Sequence, residues 1–104
     1  MPADSTDNTP HIIAKTVTLI NKHGIHVRTA ALIAETSEAF SAEITIASPH
    51  ASTDGADMMQ LLLLQASCGT ELTLSATGDD ALEAVESLHK LISSGFGLDE
   101  ERLD

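Results

Sequence analysis

The spacing of apolar side chains changes period repeatedly along this chain, and that alternation restricts its fold more than any other feature. Ile13 to Ile20 roughly alternates, with Ile13, Val17 and Leu19 on one face and Lys15 breaking the pattern once. "AEITIAS", Ala42 to Ser48, alternates again with Ile44 and Ile46 inward, and Pro49 ends it. "ELTLSA" sets Leu72, Leu74 and Ala76 on one side. A period of two marks half-buried strands. Between them, Val27 to about Glu38 takes helical spacing through Ala30, Ile33, Ala34 and the small Ser37. Asp57 precedes "MMQLLLL", read as a short helix, and "ASTD" before it as a short third strand. Leu82, Val85, Leu88 and Ile92 form the stripe of a last helix. Asp80 and Glu83 suit a capping box at its start, and Gly95 suits its C-cap. The order is β-α-β-β-α-β-α. Its connections predict an α+β fold with a mainly antiparallel sheet and helices on one face.

Composition narrows what such a fold can do. A chain of 104 residues fits one domain and one core. Aromatics are 2% of the residues against 42% hydrophobic, so the core is aliphatic, and the absence of Trp and Tyr argues against base-stacking platforms. A formal net charge of −11 argues against nucleic acid and anionic membrane as partners, and mildly favours a monomer. One cysteine, Cys68, cannot form an internal disulfide. Nothing in the sequence reads as a signal peptide or membrane span, so a reduced, cytoplasmic protein is expected. Residues 1–11 read as a disordered arm, 12–96 as the domain, and 97–104 as a charged tail that frays.

The chemistry concentrates in "NKHGIHVRTAALIAE", Asn21 to Glu35. His26 stands just before the first helical residue and Arg28 two places on. A helix start offers unpaired N–H groups and a partial positive charge, which suits phosphate. It also disfavours a cationic ring, leaving His26 a nucleophile. Gly24 lets the chain turn before it. Arg28 can set a planar fork of donors beside a phosphoryl group. Phosphoryl transfer needs mostly positioning and charge neutralisation. Spacing alone also allows a weak N-cap at His26 and an ordinary surface charge at Arg28, and favours that plainer reading.

"GIHVRTAAL" resembles the active-site segment of the histidine-containing phosphocarrier proteins (HPr) of the bacterial phosphoenolpyruvate-dependent phosphotransferase system, which typically reads Gly-Leu-His-x-Arg-Pro-Ala-Ala. The likeness runs on through "ETSEAFSAEITI" and "GADMMQLLLLQASCGTELTLSATGDDALEAVESLHKLI". It implies an open-faced β-sandwich of four antiparallel strands with three helices on one face. It implies that His26 accepts a phosphoryl group on Nδ1 from phosphorylated enzyme I and passes it to a histidine of an EIIA-type protein. Arg28 would neutralise charge, and the backbone N–H groups of Val27, Arg28 and Thr29 would hold the phosphate. No bound cofactor is implied, and Mg²⁺ would serve enzyme I.

Several residues depart from the family pattern. Thr29 replaces the usual proline. A proline lacks an N–H that a first turn leaves unpaired anyway, so threonine is expected either to add a donor for the phosphate and lose rigidity, or to be a neutral change. Asp57 stands where many members carry a regulatory serine; it reads as an N-cap of the second helix, or as a fixed negative charge there. Glu35, Glu38 and Gln60 make the face around His26 less positive than in sugar-transport members. Glu35 and "SSGF" are more similar to the nitrogen-regulatory branch, often called NPr. These departures motivate an alternative: a regulatory interaction module with this fold and little phosphate flux. A stand-alone enzyme is disfavoured, with no second catalytic group near His26 in sequence and no nucleotide-binding glycine loop.

"MMQLLLL" is more apolar than one buried face requires. Leu61 and Leu64 read as core, and Met58, Met59 and Leu62 as an adaptable docking patch, a reading that the resemblance favours. His23 with His26 lacks the further ligands a metal site needs. His89 reads as structural, and so does Cys68, with no histidine or cation beside it.

Overall fold

The computed structural model describes residues 11–98. The expected arm, apart from His11, and the expected tail, apart from Gly97 and Leu98, lie outside the described residues. The elements are β1 (Ile12–Thr18), α1 (Val27–Glu38), β2 (Glu43–Ala47), β3 (Ser52–Asp54), α2 (Met58–Leu63), β4 (Glu71–Thr77) and α3 (Ala81–Ser93), followed by a 3-10 turn over Gly95–Gly97. This is the order expected from the alternating periods.

One four-stranded sheet runs β1-β4-β2-β3 with every pair antiparallel. Val17 lies opposite Leu72, and Ile46 opposite Leu74, so one face carries the aliphatic residues. Leu19, Ile33, Ile46, Leu61, Leu72, Leu74, Leu88 and Ile92 are fully buried in a single core. α3 packs on β1 and β4, and α1 packs on both α2 and α3. The other face of the sheet is open and bears the exposed Thr16, Thr18, Glu43, Thr45, Glu71 and Thr73. Lys15 has the register of the inner face, opposite Leu74, yet is exposed. β1 is an edge strand, where a long side chain can lay its stem on the core and keep its ammonium in water.

Two expectations at α3 need correction. Leu82 is 52% exposed; the buried stripe is Ala81, Ala84, Val85, Leu88 and Ile92. The Asp80 side chain makes no cap bond to its own helix. Its two carboxylate oxygens instead accept from the backbone N–H groups of Ser41 and Ala42, each at 2.8 Å, tying the entry of β2 to the start of α3. Gly95 follows the C-cap Ser94 with φ of 75°, the left-handed end that the sequence suggests. Phe96 is left-handed as well and buried, and Leu98 still packs against the core.

Candidate functional site

The site is built where β1 hands over to α1. Leu19 leaves the sheet bonded on both sides to the loop before β4: its N–H donates to Thr70 O, and its carbonyl accepts from Gly69 N–H. Asn21, buried, donates from Nδ2 to the carbonyl of Gly24 at 2.7 Å, closing a tight loop over Lys22 and His23. Gly24 has φ of +60°, and a Cβ there would lie 2.4 Å from Ala66 O and 2.7 Å from Ser67 Cα. Only a residue without a side chain lets this loop approach the 66–67 backbone so closely. The next N–H, that of Ile25, donates to Ala66 O at 2.9 Å, and the Ile25 side chain is buried. His26 thereby follows directly on two anchored residues.

His26 is the N-cap of α1 in extended conformation, φ −134° and ψ −172°. Its carbonyl accepts the first helical bond, from Ala30 N–H at 2.7 Å. Its Nδ1 faces the helix start and accepts from Arg28 N–H at 3.3 Å. The Thr29 N–H also donates to the ring. An Nδ1 that accepts carries a lone pair, which places the ring proton on Nε2. Nδ1 therefore points at the N–H groups of the first turn of α1, the kind of donors that bind anions.

Thr29 is fully buried. Its hydroxyl accepts from His26 N–H at 2.9 Å and donates to Gly24 O at 2.9 Å. The expected extra donor for a phosphate is thus not the hydroxyl, which turns inward. The restored N–H does face the His26 ring. Val27, 63% exposed, and Arg28, also exposed, stand on the outer side of the first turn. The His23 ring meets that of His26 edge to face with centroids 6.0 Å apart. Among the described residues no group of three or more His, Cys, Asp or Glu could hold a metal ion.

α2 borders the site through α1 and through the Ala66 contact. Asp57 caps it, Oδ1 accepting from Gln60 N–H at 3.1 Å, as the N-cap reading expects. Leu61 is buried and Leu64 half-buried. Of the anticipated docking residues, Met58 and Leu62 are half-buried against the core, while Met59 is 68% exposed. Leu63, 75% exposed, joins Met59 one turn away, outside the docking set of Met58, Met59 and Leu62. Asn21 and the Ala66–Ser67 backbone were missed. Asn21 carries only the general signal of a turn residue, and nothing local in sequence marks the approach of residue 66 to residue 24.

The family model described as the PTS HPr component phosphorylation site matches residues 13–94. The chain belongs to the HPr family. Similar relatives include the phosphocarrier protein HPr of Haemophilus influenzae, 40% identical over 76% of this chain and 93% of that protein. The phosphocarrier protein NPr of Shewanella violacea is 33% identical over 81% of this chain and 92% of its own length. Among solved structures, the crystal structure of HPr-C-His from Thermoanaerobacter tengcongensis superposes with a TM-score of 0.80 at 36% identity, covering 84% of this chain and 98% of that one. The open-faced sandwich expected from the sequence is therefore both the observed architecture and that of a solved HPr.

Proposed function

We propose that this chain is a phosphocarrier of the phosphotransferase system in which His26 accepts a phosphoryl group on Nδ1 from phosphorylated enzyme I and yields it to an EIIA-type protein. The observation that carries this reading is the aim of Nδ1 at the N–H groups of Arg28 and Thr29. In transfer, the Nδ1 lone pair forms the new N–P bond as the donor histidine's N–P bond breaks. The bonding pair returns to the donor ring. The His26 ring turns outward beforehand, which frees that lone pair from the helix start, and the phosphoryl oxygens take over the N–H groups of Val27, Arg28 and Thr29. These donors are fixed in place beforehand by the helix, so little reorganisation accompanies the step. The guanidinium of Arg28, an exposed residue of the first turn, offsets charge on the transferring group. Reversal delivers the group onward, so the protein is consumed and regenerated in each cycle.

Partners dock on the exposed surface of α1 and α2, where Met59 with the half-buried Met58 and Leu62 supplies the apolar contact. Asp57 serves as a helix cap rather than a site for a serine-directed kinase. No helix among the described residues is long and apolar enough to cross a membrane, and we place the carrier in the cytoplasm as a monomer. The domain spans 12–96, with Leu98 packed beyond it.

The test is intact-mass analysis after incubation with enzyme I, Mg²⁺ and phosphoenolpyruvate. Wild type gains one phosphoryl group that mild acid removes, His23→Ala gains it too, and His26→Ala does not. A gain that survives in His26→Ala would refute the assignment.

A further inference from the structure

We propose that Thr29 is a positioning residue for phosphoryl transfer, holding the His26 ring through a reciprocal pair of hydrogen bonds. The inference rests on the reading of His26 as phosphoryl acceptor. Position 29 makes two kinds of contact with the same histidine. Its backbone N–H donates to the imidazole, and its hydroxyl accepts from the His26 N–H at 2.9 Å. The first contact keeps Nδ1 an acceptor, with its lone pair free of a proton. The second fixes the main chain from which the ring hangs.

The hydroxyl does more than cap a turn. It is fully buried and uses its proton on Gly24 O at 2.9 Å, the carbonyl that Asn21 Nδ2 also reaches. A buried hydroxyl must find partners, and here both partners belong to the segment carrying the nucleophile. Asn21, Gly24, Thr29 and His26 form one connected chain. A proline at position 29 could supply neither the N–H nor the hydroxyl. The threonine thus replaces a stiff ring by directed hydrogen bonds as the means of orienting His26.

Three variants test this. Thr29→Val keeps the shape and the N–H but removes the hydroxyl; Thr29→Ser keeps the oxygen; Thr29→Ala also removes the hydroxyl and keeps the N–H, in a side chain that suits a helix. Each is assayed with enzyme I well below its own melting temperature. For Thr29→Val, kcat falls roughly tenfold, about the effect of one net hydrogen bond lost from the oriented state. KM for enzyme I stays the same, because the outer residues Val27, Arg28 and Met59 are untouched. Hydrogen exchange of the His26 amide quickens by about the same factor, and Thr29→Ser recovers most of both losses. Unchanged kcat in a folded Thr29→Val would overturn the proposal and leave Thr29 a stability device. Unchanged exchange of the His26 amide would overturn it as well. If Thr29→Val does not fold, Thr29→Ala decides: slower transfer supports the proposal and a wild-type rate overturns it. A wild-type protein that takes no phosphoryl group on His26 would instead sink the parent reading, and the exchange data would show whether the hydrogen-bonded link itself exists.

Discussion

Gly24→Ala is the substitution whose cost the structure specifies most closely. The residue has φ of +60°, and a left-handed alanine costs about 1–2 kcal/mol. Its Cβ would also stand 2.4 Å from Ala66 O and 2.7 Å from Ser67 Cα, both backbone atoms that cannot turn aside. Relief requires the loop to part from residues 66–67, which breaks the 2.9 Å bond from Ile25 N–H to Ala66 O. That bond adds about 1 kcal/mol. The total is about 2–3 kcal/mol, summed from the strain and the lost bond. Urea denaturation followed by circular dichroism reads it directly as a lower midpoint at unchanged slope. Because His26 is anchored through Gly24 and Ile25, phosphoryl transfer should also slow in protein that remains folded. A loss under about 0.5 kcal/mol, the range of ordinary surface changes, would refute the close approach and with it the account of how the loop is held.

Two further predictions concern residues away from the histidine. Asp80→Ala should cost about 2 kcal/mol, since two charge-assisted bonds from a partly exposed carboxylate to Ser41 and Ala42 vanish together; a change within 0.5 kcal/mol, as for a plain surface residue, would mean the tie contributes nothing. Gln65→Gly should stabilise by roughly 0.5–1 kcal/mol, because an exposed Gln65 sits at φ of 52° just past the end of α2; a lower urea midpoint would contradict that.

The strands and their order were legible because one sheet face meets the core while the other meets water, so the period of two is written directly into β1, β2 and β4. α3 was half legible. Its large stripe residues Val85, Leu88 and Ile92 were found, but Leu82 was taken in because it is large and apolar, while Ala81 and Ala84 do the packing. Small residues carry little periodic signal although they let helix and sheet approach. Asp80 matched a local capping pattern, yet its partners lie 38 and 39 residues away. At the site, the helix start, His26, Arg28 and Gly24 were all visible in a few residues. The direction of the Thr29 hydroxyl was not, because a side chain's rotamer is chosen by what surrounds it, here the Gly24 carbonyl and the His26 N–H. The Gly24–Ala66 approach joins segments distant in sequence, and no local pattern encodes it.

The central claim is that Nδ1 of His26, facing the start of α1, carries the phosphoryl group. The most direct measurement is nitrogen-15 and phosphorus NMR of the protein phosphorylated by enzyme I. The account predicts phosphorus coupling to Nδ1 of His26, together with large shifts of the Arg28 and Thr29 amides as they turn from the ring to the phosphoryl oxygens. Coupling to Nε2, or phosphorus on another residue with those amides unmoved, would contradict it.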